Sequence, residues 1–456
     1  MPKLYIKTYG CQMNERDSEQ VARMFVQKGY TMTDREDEAD VILFNSCSIR
    51  EQAEQKALGK MGLLAKQQRH RPHVVYGMMG CMAQSKKEEL FKELPRLDLV
   101  VGTQKYHRVF EHVDGILRAR QERRMDELQS AFSGTHVCDV AEEADSQNRI
   151  RDHLNPGARS TAYVSIMQGC EMKCAYCIVP YTRGAERSRP IRDVVDEVKM
   201  LADAGVKELL VIAQDITRYG TDLNGEHQLA SLLRELCRLD FHWVRLHYLY
   251  PDEITEELID TIAEEPKIVK YLDIPIQHCN DGILKAMNRR DTKAELLDLL
   301  TKLRARIPGL VLRTSLITGL PGEGEAELEE LCVFLRETKI ERAGVFPFSP
   351  EEGTRAARMD HVDMEEARRR AELLVDVQSD IIDAYNESVL GTEREVLCEG
   401  FDSQAQMHFG RSYAESPDID GRIWFDANRE VELGTFVTVR LTGVMDGELT
   451  GELAEE

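Results

Sequence analysis

The sequence predicts an α/β fold in three parts: an N-terminal parallel α/β domain, a central partial (βα)6 barrel, and a small C-terminal antiparallel β-barrel. Three observations carry this. Strand-like apolar runs alternate with helical segments over residues 1–118, the alternation restarts and runs six times over residues 159–387, and residues 388–456 hold five short alternating runs. A chain of 456 residues has length for two to four such domains.

In the first part, Lys3–Thr8 reads as a strand and Asp17–Lys28 as a helix. Ala39–Asn45 and Glu51–Gln68 repeat the unit, and His73–Gly77 begins a third. Such alternation implies right-handed crossovers and a parallel sheet, whose strand-end loops share one edge. Cys11, Cys47 and Cys81 occupy three of those loops at intervals of 36 and 34 residues, about one βα unit each. Periodicity therefore predicts that distant cysteines converge as three thiolate ligands of a metal cluster. The alternative is three unrelated buried thiols, since free cysteine is commonly buried.

Residues 119–158 read as a polar linker, with Gln121-Glu122-Arg123-Arg124 inside it and Asn155-Pro156-Gly157 near its end. From Thr161 the expected strands are Thr161–Met167, Glu208–Ala213, Trp243–Leu249, Lys270–Pro275, Leu310–Ile317 and Ala343–Phe348, with helices such as Asp193–Ala204 and Glu325–Thr338 between them. Sites in such folds lie at the carboxyl ends of the strands. There the chain carries Gln214-Asp215, His247, Gln277-His278 and Arg313-Thr314, polar residues suited to a small charged ligand. Lone histidines such as His247 and His278 are more commonly satisfied core residues than ligands. A long helix over Asp363–Asn386 leads to the five strands of the last domain.

Just beyond the first barrel strand, Cys170, Cys174 and Cys177 lie within eight positions. Thiolates bind soft metals, and iron–sulfur clusters are held chiefly by cysteine. Three ligands leave one iron of a four-iron cluster open for chemistry, by the logic that separates catalytic from structural zinc sites. A zinc knuckle completed by a distant ligand is the alternative from spacing alone. Cys138, Cys237, Cys279, Cys332 and Cys398 have no partner at such spacing and read as buried thiols.

No apolar stretch approaches membrane-spanning length, and Met1–Ile6 runs straight into a strand pattern, so a cytoplasmic protein without a membrane segment is expected. Eleven cysteines there are better candidates for metal than for disulfides. The net charge of −22 is unevenly spread: residues 1–190 carry +3 and the remainder −25. Residues 56–73 hold Lys56, Lys60, Lys66, Arg69 and Arg71 with no acid, which fits either a solvated helix face or a phosphate-binding surface. Residues 392–456 hold 15 acids against five arginines, which favours a basic protein partner over a phosphate backbone.

The C-x3-C-x2-C loop, with Tyr176 before its last cysteine, resembles the signature of radical S-adenosylmethionine enzymes, and the whole chain resembles the methylthiotransferases of that group. The resemblance implies a radical SAM barrel, a C-terminal domain of the TRAM type and two 4Fe-4S clusters. One cluster is expected on Cys170, Cys174 and Cys177 and the other on Cys11, Cys47 and Cys81. S-adenosylmethionine is expected as cosubstrate, with Tyr176 beside the adenine and Gln214, Gln277 and Arg313 among its contacts. An electron donor such as flavodoxin or ferredoxin is implied as a partner.

Two branches of the family contribute. Lys7–Asn14, Asn45–Glu51 and Val179–Gly184 resemble the MiaB branch, which acts on N6-isopentenyladenosine beside the tRNA anticodon. Ile212–Asp215, Arg245–Tyr248, Tyr271–His278 and Gly410–Ala414 resemble the RimO branch, which modifies an aspartate of a small-subunit ribosomal protein. This predicts a hybrid chain, natural or constructed, joined near Leu201–Glu208. The later strand ends and the acidic domain favour the ribosomal target, with tRNA as the alternative and an inactive hybrid or a cluster-binding protein as the third.

Overall fold

A computed structural model describes residues 1–48, 51–122, 135–148 and 160–454. Ile49, Arg50, Arg123, Arg124 and Asn155-Pro156-Gly157 lie outside the described residues. Among the described residues no helix is long and apolar enough to cross a membrane.

The first domain is built on strands β1 (Lys3–Tyr9), β2 (Thr31–Met32), β3 (Val41–Ser46), β4 (Val75–Met79), β5 (Leu99–Val101) and β6 (Val137–Asp139), in the order β2-β1-β3-β4-β5-β6. All are parallel, and β3 is buried at every position, as a strand covered on both faces must be. Helices α1 (Gln12–Gln27), α2 (Glu51–Gln67), α3 (Cys81–Lys86), α4 (Glu89–Glu93) and α5 (Val109–Glu122) lie between the strands, and apolar clusters fill both faces of the sheet. The winding reverses between β1 and β3, which places a crevice beyond their carboxyl ends.

The expected linker over 119–158 is corrected here: α5 runs to Glu122, and β6 pairs with β5 from Leu99↔Val137 to Val101↔Asp139. A three-residue edge strand is too short to show alternation, so composition alone reads as linker.

The second sheet contains β7 (Thr161–Ser165), β10 (Glu208–Ile212), β11 (Trp243–Leu246), β12 (Ile268–Asp273), β13 (Val311–Thr318) and β14 (Arg342–Pro347) in sequential parallel order, open between β7 and β14. Between the first two, β8 (Met167–Gln168) and β9 (Arg187–Ser188) form a small antiparallel hairpin, and helices α6 (Val179–Arg183) and α7 (Ile191–Asp203) follow in turn. The predicted helix over Glu325–Thr338 has those bounds. The long helix spans Met364–Val389, capped by Asp363, whose Oδ1 accepts from Glu366 N at 2.9 Å. It leads to the closed barrel of β15 (Glu393–Asp402), β16 (Met407–Arg411), β17 (Ile423–Asp426), β18 (Phe436–Met445) and β19 (Glu448–Leu453).

The segment after β16 plugs the amino end of the second sheet. Arg245 donates to Tyr413 O at 2.9 Å, Arg411 Nη2 reaches Glu208 at 2.8 Å, and Tyr271 Oη donates to Asp420 at 2.6 Å. His247 meets Ser416 Oγ at 2.9 Å. His278 faces Glu323 at 3.5 Å and accepts from Asn280 N at 3.0 Å. Both histidines are buried and serve the core. Cys237, Cys279, Cys332 and Cys398 are buried and Cys138 is half-buried.

Candidate functional site

Cys11 lies two residues past the end of β1, Cys47 one past β3 and Cys81 two past β4, so the β-register brings all three to one edge of the sheet. Tyr9 pairs with Ser46, and Cys47 N donates to Tyr9 O at 2.8 Å. Cys11 and Cys47 share a hydrogen bond that draws Cys11 down to about 6 against the effect of burial, with Arg183 adding to the effect. Burial pushes Cys81 up, and Arg183 beside it opposes the rise. The three cysteines thus share one edge of the sheet, as their spacing predicts.

The other triad sits on a loop pinned at its base. The β8–β9 pairs Met167↔Ser188 and Gln168↔Arg187 close it, and Cys170 N donates to Gly184 O at 3.2 Å. Gly169 has φ +87, and a Cβ there would lie 1.9 Å from Ala185 O, so only glycine permits this approach. From outside the loop, Gln214 accepts from Gly169 N at 2.7 Å, Met287 O accepts from Ala175 N at 2.8 Å, and Asn288 Nδ2 donates to Lys173 O at 3.0 Å. Burial pushes Cys170 up and lifts Cys177 to about 12. Thiolates at such positions require a cation beside them, and metal coordination provides one.

Among the described residues no three His, Cys, Asp or Glu side chains converge as the ligands of a single ion would.

All three cysteines of the loop line a 780 Å³ cavity at the carboxyl ends of the second sheet, with Tyr176, Gln214 and Gln277 also in its wall. The volume suits a nucleotide-sized ligand. The first domain contributes Tyr9, Gly10 and Lys56, so the cavity lies between the two domains, with Gly10 next in sequence to Cys11. Arg313, expected as a contact, is not in the wall: its guanidinium is directed at Asp273, 2.6 Å away. An arginine at a strand end looks the same in sequence whether it faces a ligand or a neighbouring acid.

Asp215, expected with Gln214 at a strand end, lies in the wall, and so does Arg289, which the sequence reading missed. Asp215 Oδ1 accepts from Thr217 N at 3.0 Å, while Oδ2 is buried without a protein partner, and burial pushes the carboxyl up to about 7. Arg289 lies 4.0 Å over the Tyr250 ring and donates to Asp291 at 3.1 Å. No local pattern marked Arg289.

Comparison with known proteins agrees with this architecture. Residues 3–102 match the "Uncharacterized protein family UPF0004", 164–335 the Radical SAM superfamily and 390–454 the TRAM domain. The chain is 64% identical over 405 residues to a tRNA-2-methylthio-N(6)-dimethylallyladenosine synthase of Akkermansia muciniphila, covering 88% of each protein. It is 40% identical over 450 residues to a ribosomal protein uS12 methylthiotransferase RimO of Symbiobacterium thermophilum, covering 98% of this chain and 90% of that one. Among solved structures, the radical S-adenosylmethionine methyltransferase TsrM of Kitasatospora setae aligns with a TM-score of 0.56 at 12% identity, over 76% of this chain and 73% of that one, which shows likeness of fold.

A 405-residue match within 456 residues has to span 201–208, where the sequence reading expects a join. With three matching domains in order and relatives of this identity over nearly full length, the chain belongs to the radical S-adenosylmethionine methylthiotransferases, enzymes that transfer a sulfur-containing group with 4Fe-4S clusters and S-adenosylmethionine as cofactors.

Proposed function

We propose that this enzyme methylthiolates N6-isopentenyladenosine in tRNA. The observation that carries the reading is the 64% identity, across 88% of both chains, to a protein named for that product, against 40% for the RimO relative. Exposed Lys66, Arg69 and His70 on and just beyond α2, leading from Lys56 at the cavity wall, support it as a surface for phosphates.

In this reading Cys170, Cys174 and Cys177 hold the cluster that binds S-adenosylmethionine, and Cys11, Cys47 and Cys81 hold the second. When bound, these groups supply a 5'-deoxyadenosyl radical and a sulfur species for transfer to the target carbon. The protein's work is placement. Gln214 fixes the loop's entry by accepting from Gly169 N. Tyr176 and Gln277 present a half-buried ring and a backbone at φ +68 to the adenosyl part. Asp215 Oδ2 offers an acceptor to the same ligand. Because the cavity wall takes in Tyr9, Gly10 and Lys56 of the first domain as well as Cys170, Cys174 and Cys177, a substrate in it is held between the two domains, which is the positioning that radical chemistry requires. A one-electron donor of the flavodoxin or ferredoxin type belongs to the proposal.

The RimO relatives keep a second reading in view, modification of a ribosomal protein by way of the acidic C-terminal barrel. Anaerobic reconstitution followed by mass spectrometry of isopentenylated tRNA and of the ribosomal protein decides between them. The tRNA product with an unmodified protein is expected, and the reverse result overturns the proposal.

A further inference from the structure

Arg183 closes α6, six residues past Cys177, yet its side chain leaves the second domain and enters the first. Its Nη2 donates to Asp17 Oδ2 at 2.9 Å and to Asn14 Oδ1 at 3.2 Å, both in α1. Asn14 Oδ1 also accepts from Cys11 Sγ at 3.5 Å, so guanidinium and thiol meet at one oxygen. Arg183 is 2% exposed, and its Nη1 is buried with no aligned protein acceptor. Burying an arginine with an idle donor is costly unless something else accepts from it. Cys81, which shares a hydrogen bond with it, and Cys11 are among the guanidinium's neighbours, with Asp17 and Tyr106.

The surroundings hold the group in place. Thr103 Oγ1 donates to Thr182 O at 2.6 Å, and Gln104 Nε2 donates to Arg183 O at 3.4 Å, which ties the end of α6 to the first domain. Tyr106, buried and close to Asp17, closes the far side. Asp17 accepts from one arm of the guanidinium, and the thiols of Cys81 and Cys11 lie near the group as well.

We propose that Arg183 is a positioning residue for the second cluster, aiming its Nη1 at the sulfur-bearing face held by Cys11, Cys47 and Cys81 and lowering the energy of negative charge there. The inference rests on the assignment of that triad as cluster ligands. A short helix continuous with the Cys170–Cys177 loop then joins the two centres, so displacement of one loop moves a charge at the other.

The test uses the full chain with Cys170, Cys174 and Cys177 changed to alanine, leaving a single cluster to observe by redox titration and electron paramagnetic resonance. Arg183→Lys keeps the charge, and Arg183→Gln combined with Asp17→Asn removes it without stranding the buried acid. Four irons in the unmutated-Arg183 background report on the triad itself, so loss of iron there overturns the cluster assignment rather than the role of Arg183. The expected result is a more negative midpoint potential, or failure to retain iron, in the charge-free variant, with Arg183→Lys near the parent. An unchanged midpoint at full iron content overturns the proposal, as does equal failure of both variants to hold iron.

Discussion

Arg411 crosses 203 residues of sequence to place its Nη2 2.8 Å from Glu208 Oε2, while Arg245 Nε lies 2.7 Å from Glu208 Oε1. All three side chains are almost fully buried. The pair locks the C-terminal domain into the amino end of the second sheet. Removing the acid leaves the buried Arg245 guanidinium without a carboxylate, while Arg411 keeps Glu399 at 2.7 Å. Glu208→Gln is expected to cost about 3–5 kcal/mol, read as a loss of stability in chemical denaturation and release of the C-terminal domain to limited proteolysis. An unchanged denaturation midpoint would contradict this.

The same carboxylate sets a pH limit. Burial pushes Glu208 up, but Arg411 and Arg245 together bring it down to about 2. A group lowered in the folded state contributes stability that is complete above the ordinary glutamate value near 4.3 and is lost as pH falls through about 2. His247 acts over a higher window. Burial, helped by Arg245 and Arg313, holds it down to about 3, so the unfolded chain takes up a proton below about 6.5 that the folded chain refuses. Stability should therefore fall progressively from about pH 6.5 toward 3. Thermal melts across that range check it, and His247→Gln should flatten the slope.

Much of the site could be read before any coordinates. Equal βα spacing placed Cys11, Cys47 and Cys81 at one edge because parallel strands in register end together. What stayed hidden depends on pairs far apart in sequence. Arg245–Tyr248, Tyr271–His278 and Gly410–Ala414, which pointed to a ribosomal target, include direct contacts of one another through Arg245 and Tyr413 O at 2.9 Å and through Arg245, which lies 4.9 Å over the Tyr271 ring. They travel together because they pack together, and so they say little about substrate. Arg313 and Arg183 were misplaced or overlooked for the same reason: Asp273 and Asp17 are their partners, and no local pattern announces either.

Asp215 gives a test of the cavity. Its Oδ2 is an acceptor without a partner in the wall, and asparagine would keep the shape while turning that acceptor into a donor in one orientation. Asp215→Asn should weaken S-adenosylmethionine binding by about tenfold, the scale of one charged hydrogen bond. Equilibrium dialysis against the reconstituted enzyme measures it, and unchanged affinity would remove Asp215 from the ligand's contacts.

The surface of α2 separates the two substrates. Lys66, Arg69 and His70 are exposed, whereas Lys60 is paired with Glu36 at 2.8 Å and Arg71 donates to Ala39 O at 3.0 Å, so only part of the acid-free run is available to a partner. Phosphate contacts release counterions, and each one lost reduces the slope of log affinity against log salt by about 0.7–0.9. Lys66→Glu with Arg69→Glu should weaken tRNA binding at low salt and flatten that slope by about two contacts. The fold should be undisturbed, since both side chains face solvent. If tRNA affinity and its salt dependence stayed as in the parent, α2 would be a solvated face and the docking surface would lie elsewhere. If the variant instead lost modification of the ribosomal protein while still binding tRNA, the charge run would belong to the other target.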